Sequence, residues 1–260
     1  MLGAKWGFWI EGGGDKIGTM AVVWHKGVVV KNETLGGKFR RVGFQVDDPG
    51  WVHTPGQFVL MKVPDVLMKV NDYSPCSLPR GGFFEILVDV TPAEAQPPKG
   101  SGSRYIKSLR PGERIEFTGP AGNFQCKDDG AGELWFVATG SGISSLWGML
   151  RERLSLGKEE KLRLWWGLRH EEEIFWKKEL EELVSSYPNF EYRWVVSQPG
   201  EGWKGEKGHV TERVLEAAGR EKEKDFAVYL CGSDGMIKDI VSGLTAIGVL
   251  PERIHWEKYY

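Results

Sequence analysis

The run Ala138-Thr139-Gly140-Ser141-Gly142-Ile143 is the segment best suited to holding a phosphate. Glycines at a strand-to-helix turn let an anion approach backbone N–H groups, and the positive end of the following helix favours its charge. A Gly-x-Gly turn is also a common tight connection, and no third glycine completes the six-residue dinucleotide fingerprint. Position adds weight, because nucleotides bind at the carboxyl ends of strands in alternating strand–helix regions. Cys76, Cys126 and Cys231 are far apart, odd in number and without a Cys-x-x-Cys pair. This chain alone therefore builds neither a zinc ribbon nor an iron–sulfur cluster. His170, His209 and His255 have no metal-ligand spacing, and no metal is expected. Cys231 ends an apolar run, where a cysteine is ordinarily a small core hydrophobe.

Two regions of different pattern must position these residues. From residue 22 to about 124 the sequence consists of short β-rich runs, such as 25–30, 39–46, 57–63 and 83–90. Pro55-Gly56, Gly81-Gly82 and Pro111-Gly112 punctuate them, and one helix is expected over 103–109. Runs at such spacing indicate an antiparallel barrel or sandwich. After Asp128-Asp129-Gly130, strands over 134–138, 162–166, 190–196, 226–231 and 254–257 alternate with helices over 143–154, 171–184, 210–217 and 236–247. That alternation implies a parallel sheet with right-handed crossovers. The Gly-rich stretch 198–208 reads as a loop at the mouth of the sheet, and Glu171-Glu172-Glu173 as acidic residues suiting a helix N-terminus. The expected architecture is an N-terminal antiparallel β-barrel over 22–126 plus a C-terminal α/β doubly wound parallel sheet over 131–260. Residues 1–21 are expected to be a loose tail, with Met20 an alternative start.

The 34 basic and 36 acidic residues nearly cancel, which argues against nonspecific nucleic-acid binding. No apolar run reaches the roughly 18–20 residues of a membrane span, and the first twenty residues lack the regions of a secretory signal. A reducing cytoplasm suits the cysteine usage. The twelve tryptophans fall mostly within expected strands and helices, so core packing accounts for them.

The order of segments resembles the ferredoxin–NADP reductase superfamily, whose members join a flavin-binding antiparallel barrel to a nicotinamide-binding domain. Five segments carry the resemblance: Pro55-Gly56-Gln57-Phe58; Tyr73-Ser74; Gly100-Ser101-Gly102-Ser103 with Pro111-Gly112-Glu113; the Ala138 to Ile143 turn; and Cys231-Gly232 with Met236. The ending Glu257-Lys258-Tyr259-Tyr260 is similar to the family's acidic-plus-aromatic terminus. Each motif is short, but five in the right order across two correctly typed regions are specific.

The resemblance implies FAD, ahead of FMN, together with NADH or NADPH. It places Tyr73 along the isoalloxazine and the Ser74 hydroxyl near flavin N5. Gly100, Gly102 and Ser103 would hold the flavin pyrophosphate, with Asn71, Asp72, Val88 and Val90 among the flavin contacts. Thr139, Gly140, Ser141 and Gly142 would hold the nicotinamide dinucleotide, with Ser197, Gln198, Gly232 and Met236. Cys231 would face the nicotinamide, Glu257 would sit at the same meeting point, and Tyr259 or Tyr260 would cover the flavin's other face. Ser74, Cys231 and Glu257 are thus the catalytic candidates. In their bland readings Ser74 is a turn hydroxyl before Pro75, and the terminal tyrosines an untidy end.

Three departures stand out. Asn71 replaces the arginine that usually binds the flavin phosphate two residues before Tyr-Ser, leaving that charge to Arg80, Arg104 or backbone amides. Ser145 replaces the usual proline after the glycine turn, a smaller change. Ser197-Gln198-Pro199 lacks the arginine with which NADP-using members meet the 2′-phosphate, which favours NADH, although Arg169, Lys204 or Lys207 could substitute. The implied function is hydride transfer between NAD(P)H and bound flavin, with electrons passed to a separate ferredoxin, flavodoxin or oxygenase component. Two alternatives stay open: a flavin-containing electron-transfer subunit of a larger complex, and a non-catalytic flavin-binding module.

Overall fold

A computed structural model describes residues 22–64, 70–95, 99–128 and 130–258. The first sheet contains β1 Trp24–Leu35, β2 Phe39–Val46, β3 Phe58–Lys62, β4 Val70–Tyr73, β5 Phe83–Asp89 and β6 Arg114–Ala121. Its antiparallel order is β4-β3-β6-β1-β2-β5. Pro75, just past β4, bridges to Ile86 of β5, so the two edges of the sheet meet. Alternation points Val42, Phe44 and Val46 of β2 inward with Phe84 and Ile86 of β5. Phe44 stacks on Phe84 at 4.9 Å, and Trp51 leans on Phe84 at 5.0 Å. The barrel's single α-helix among the described residues, α1 Ser101–Ser108, carries Ile106 into this core.

The second sheet is parallel in the order β10-β9-β8-β7-β11-β12. Its strands are β7 Glu133–Thr139, β8 Lys161–Leu168, β9 Phe190–Val196, β10 Glu206–Lys207, β11 Phe226–Gly232 and β12 Ile254–Lys258. Leu134, Phe136 and Ala138 of β7 enter one core, while Trp135 and Val137 enter another. A strand that alternates between two buried faces must be covered by helices on both sides. Helices α2 Ile143–Ser155 and α3 Lys177–Ser186 cover the first face, and α4 Val210–Arg220 and α5 Asp234–Ala246 the second. This is a doubly wound sheet, with β11 buried along its whole length.

The barrel is not a separate lobe. Phe39, Cys76 and Leu87 belong to the same core as Ile143, Leu146, Trp147 and Phe175. Lys38 adds an ion pair to Glu173 at 3.0 Å across the boundary. This packing explains why the expected helix over 171–184 is broken. Residues 171–173 form a short 3-10 turn, and α3 begins only at Lys177. Between them Phe175 packs on Phe39 at 5.1 Å, and Trp176 stacks on Trp147 at 4.5 Å. Adjacent side chains diverge on a helix, so burying both takes Trp176 to φ +57, left-handed backbone. The acidic run does other work than helix capping: Glu171 accepts a hydrogen bond from Gly200 N at 2.9 Å and Glu173 from Arg169 N at 3.0 Å.

Candidate active site

On the barrel side, β4 and the start of α1 converge. Gly100 begins α1 at φ +67, and a Cβ there would lie 1.8 Å from the Pro92 carbonyl. A Cβ on Gly102 would lie 2.4 Å from Asn71 Nδ2 and 2.8 Å from the Tyr73 hydroxyl. The fold thus brings Asn71, Tyr73 and Gly102, distant in sequence, into one cradle. Val88 and Val90 are buried in the same core as Tyr73. Ser103 Oγ lies 3.4 Å from the Asp89 carbonyl, and Asp72 points to solvent.

On the α/β side, the turn after β7 is a 3-10 segment, Gly140–Gly142, leading directly into α2. Gly140 sits at φ +53 with open space where a Cβ would be. Gly142 and Gly232 pack the turn against β11. Their Cβ atoms would lie 2.3 Å from the Cys231 carbonyl and 2.1 Å from Thr139 Oγ1. Thr139 Oγ1 accepts from Ser233 N at 2.9 Å, and Met236 Cε lies 3.0 Å from where the Gly232 Cβ would stand. No side chain caps the start of α2, which leaves helix N–H groups for another acceptor. Ser141 lies within the turn. Ser197 and Gln198 follow β9, on the same carboxyl edge, with Arg169 Nε donating to Gln198 Oε1 at 3.1 Å.

The two sides meet where Ser74 approaches Glu257, beside a Ser145–Cys231 contact within the α/β side. Ser74 Oγ lies 3.4 Å from Glu257 Oε2, and Ser145 Oγ donates to Cys231 Sγ at 3.1 Å. Burial is the largest influence on Glu257; with the nearby charge of Asp72 it lifts the carboxyl to about 7, against hydrogen bonds from Ser74 and Ser145. Burial also pushes the Cys231 thiol up, so it stays protonated rather than becoming a nucleophilic thiolate. The pair at the head of α2 was not anticipated as a link. Ser144 donates to the Ser74 carbonyl at 2.7 Å and accepts from Leu87 N at 3.2 Å, tying α2 to β4 and β5.

Known proteins give this arrangement its context. Residues 26–126 match the family described as "Oxidoreductase FAD-binding domain", and residues 136–242 match "Oxidoreductase NAD-binding domain". A "Ferredoxin--NADP reductase B" of Sorangium cellulosum is 32% identical over 230 residues, covering 85% of this chain and 91% of that protein. The chain belongs to the ferredoxin–NADP reductase family. It is an NAD(P)H-dependent flavoprotein oxidoreductase, with FAD-binding and NAD-binding regions. A component of the Na(+)-translocating NADH-quinone reductase of Neisseria meningitidis is 30% identical over 202 residues, 74% of this chain but only 49% of the relative. Among solved structures, a ferredoxin NADP+ reductase from Neisseria gonorrhoeae with bound FAD and NADP superposes with a TM-score of 0.78 at 16% identity. That match covers 91% of this chain and 99% of the other. An Amycolatopsis cytochrome P450 reductase gives 0.80 at 23% identity, over 91% and 70% of the two chains.

Two orphaned atoms bear on how a flavoprotein oxidoreductase of this sequence holds FAD. Asn71 Oδ1 and the Tyr73 hydroxyl are buried without a hydrogen-bond partner. Each would cost about 1–3 kcal/mol if left so; the Tyr73 hydroxyl and the Asn71 amide group lie against Gly102. A hydroxyl- and phosphate-bearing ligand fits them, offering a donor to Asn71 and an acceptor to Tyr73. Of the two arginines named as stand-ins for the missing cation, Arg104 sits on α1 and Arg80 shortly precedes β5. Arg104 NH1 donates to the Ala93 and Ala95 carbonyls at 3.3 and 2.6 Å. Arg80 lies over the Phe83 ring, at the opposite end of β5 from Val88. Gly102→Val is therefore expected to weaken FAD binding at least tenfold with the fold retained, measured by quenching of flavin fluorescence. Unchanged affinity would remove the cradle from the flavin site.

Tyr259 and Tyr260 lie outside the described residues. Cys76 lines a cavity of about 440 Å³ between the barrel and helices α2 and α3, and burial pushes its thiol up to about 12. Among the described residues no group of three His, Cys, Asp or Glu is arranged to hold a metal ion. None of the described helices is long and apolar enough to cross a membrane.

Proposed function

We propose that this chain takes a hydride from NADH or NADPH onto FAD and passes the electrons to a separate redox protein, a ferredoxin, flavodoxin or oxygenase component, in the cytoplasm. The observation that carries the reading is the approach of Ser74 and Glu257, 3.4 Å apart across 183 residues of sequence, beside Cys231 and the glycine turn. When bound, FAD accepts electrons in pairs and releases them singly, which suits a step between a hydride donor and a one-electron carrier. The chain's own groups bind and orient. Asn71, Tyr73, Gly100, Gly102 and Ser103 hold the flavin, and Thr139 to Gly142 hold the dinucleotide phosphates at the head of α2. Gly232 and Met236 shape the nicotinamide end, and Cys231 offers a neutral thiol surface to the ring. Ser74 and Glu257 hold a proton between them, with the carboxyl poised near neutrality.

The nicotinamide choice rests on Gln198 and Arg169. Gln198 offers no charge to a 2′-phosphate, which favours NADH. Arg169, anchored through Nε alone, keeps its two amino groups for such a phosphate, which brings NADPH within reach. The names of two similar proteins support the acceptor class: the Sorangium ferredoxin–NADP reductase, and a ferredoxin reductase of carbazole 1,9a-dioxygenase with the same fold.

A second reading, a flavin subunit of a larger redox complex, is favoured by the uncharged Asn71 and by the likeness to the component of the Na(+)-translocating quinone reductase. Steady-state turnover of the FAD-loaded chain with NADH or NADPH, and a [2Fe–2S] ferredoxin as acceptor, separates the two. Turnover supports the stand-alone reductase. Flavin that is reduced but releases no electrons to the ferredoxin supports the membership of a larger complex.

A further inference from the structure

The barrel closes where the residues just past β4 run antiparallel to β5. Pro75 opposes Ile86, and Cys76 N donates to the Glu85 carbonyl at 2.7 Å. The same register sets Ser74 opposite Leu87, where an antiparallel ladder would place its next hydrogen bond, from Leu87 N–H to the Ser74 carbonyl. A hydroxyl from the other domain stands there instead. Leu87 N donates to Ser144 Oγ at 3.2 Å, and Ser144 Oγ donates to the Ser74 carbonyl at 2.7 Å.

We infer that Ser144 is a positioning residue for hydride transfer: its hydroxyl supplies a rung of the barrel's closing seam, and through that rung α2 fixes Ser74. This role rests on the proposed places of Ser74 beside the flavin and of the glycine turn at the dinucleotide.

A hydroxyl has one proton to give and lone pairs to accept with, so Ser144 satisfies an amide and a carbonyl at once. Ser144 is fully buried and Ser74 nearly so, and buried backbone groups are almost always paired. Alanine at 144 offers neither proton nor lone pair. The seam must then close until Leu87 N and the Ser74 carbonyl lie about 2.9 Å apart, or leave both groups without a partner. In either case Ser74 loses its tie to α2.

Ser144 lies in the first turn of α2, directly after the Gly140–Gly142 turn and Ile143, so the glycine turn and the seam hang on one rigid element. The Ser74 hydroxyl in turn lies 3.4 Å from Glu257 Oε2. The domains stay docked without the rung, because Phe39, Cys76 and Leu87 of the barrel share one core with Ile143, Leu146 and Trp147 of α2. What Ser144 adds is alignment. Misplacement by about 1 Å costs roughly 100-fold in a reaction that depends on positioning, so a shift of about half that costs roughly tenfold.

The test compares wild type with Ser144→Ala, both oxidised and FAD-loaded. Amide hydrogen exchange is expected to rise about tenfold or more at Leu87 and to stay unchanged at Trp135, Phe136 and Val137 of β7. The absorption spectrum of the bound flavin should shift as the Ser74 hydroxyl moves against N5. On rapid mixing with NADH or NADPH, the limiting rate of flavin reduction should fall roughly tenfold or more while the apparent Kd stays within about threefold. Loss of the fold would not give that split. Ser144→Thr keeps the hydroxyl and should bring exchange and rate back to within about threefold of wild type. Should the alanine variant not fold, Ser144→Cys, a weaker donor, should move both in the same direction and less. Unmoved exchange at Leu87, an unmoved limiting rate, a loss that lies in Kd instead, or an equal loss in threonine overturns the inference. If neither nicotinamide reduces wild-type flavin, the proposed function fails, while the Leu87 exchange and the flavin spectrum still decide whether Ser144 positions Ser74.

Discussion

Gly232→Ala is expected to lower kcat/KM for the nicotinamide at least 100-fold while leaving the bound FAD in place. Gly232 stands at φ +151, and a Cβ there would lie 2.1 Å from Thr139 Oγ1 and 2.9 Å from Thr139 N. The threonine has no easy retreat, because its hydroxyl accepts from Ser233 N at 2.9 Å and its backbone leads directly into the Gly140–Gly142 turn. The added methyl group must therefore move the turn, the end of β11, or both. Displacement of about 1 Å costs roughly 100-fold in reactions that depend on positioning, or about 2.7 kcal/mol of transition-state stabilisation. The flavin cradle at Asn71, Tyr73 and Gly102 is built from the barrel and should not respond. Flavin content and steady-state kinetics on the same preparation check both halves. A loss below threefold would separate Gly232 from the nicotinamide site.

The second large effect is a dependence of stability on pH that Glu257→Gln removes. Glu257 is raised from the ordinary 4.5 to about 7 in the folded protein. Between those values the native state binds more protons than the unfolded chain, so stability is fully present below about pH 4.5. It falls as pH rises towards 7. At about 1.4 kcal/mol per unit the ceiling is roughly 3 kcal/mol, and partial solvent access brings the expected loss nearer to about 2 kcal/mol. For a chain of this size that is a few degrees in Tm. Thermal melts of wild type and Glu257→Gln between pH 5 and pH 8 should therefore converge or cross, with wild type losing ground as pH rises. Parallel curves would mean that the carboxyl is not held in its raised state.

Much of this fold is legible from local pattern. Phe39–Val46 and Phe190–Val196 are strands with the bounds read from the sequence, because alternation and punctuating turns act over a few residues. What the sequence does not disclose is set by distant neighbours. Ile174, Phe175 and Trp176 continue a plausible helix, and the barrel's Phe39, the α2 residue Trp147 and the β8 residue Trp166 draw the two aromatic rings inward. The strand Val70–Tyr73 is four residues long with only Tyr73 buried, and β10 is two residues inside a Gly-rich stretch. Both owe their existence to partners.

The site divides in the same way. The glycine turn, Tyr73-Ser74 and Cys231-Gly232 are readable as motifs. The Ser144-Ser145 pair carries a signal, two small hydroxyls at the first turn of a helix, where such residues are favoured. Nothing local says that one meets Leu87 and the other Cys231. Arg80 and Arg104 are legible as candidates for the missing phosphate ligand, but their places, Arg80 over the Phe83 ring and Arg104 NH1 at the Ala93 and Ala95 carbonyls, are not.

The hydride step itself is open to direct measurement. The FAD-loaded protein is mixed anaerobically in a stopped-flow instrument with NADH, with NADPH, and with each deuterated at the transferred position, and flavin absorbance is followed. Bleaching by at least one nicotinamide is expected at roughly 1–1,000 s⁻¹, the range of ordinary enzymes, slowed by deuterium. Flavin that stays oxidised for minutes with both would contradict the proposed hydride transfer, leaving the Ser74–Glu257–Cys231 cleft without the chemistry assigned to it.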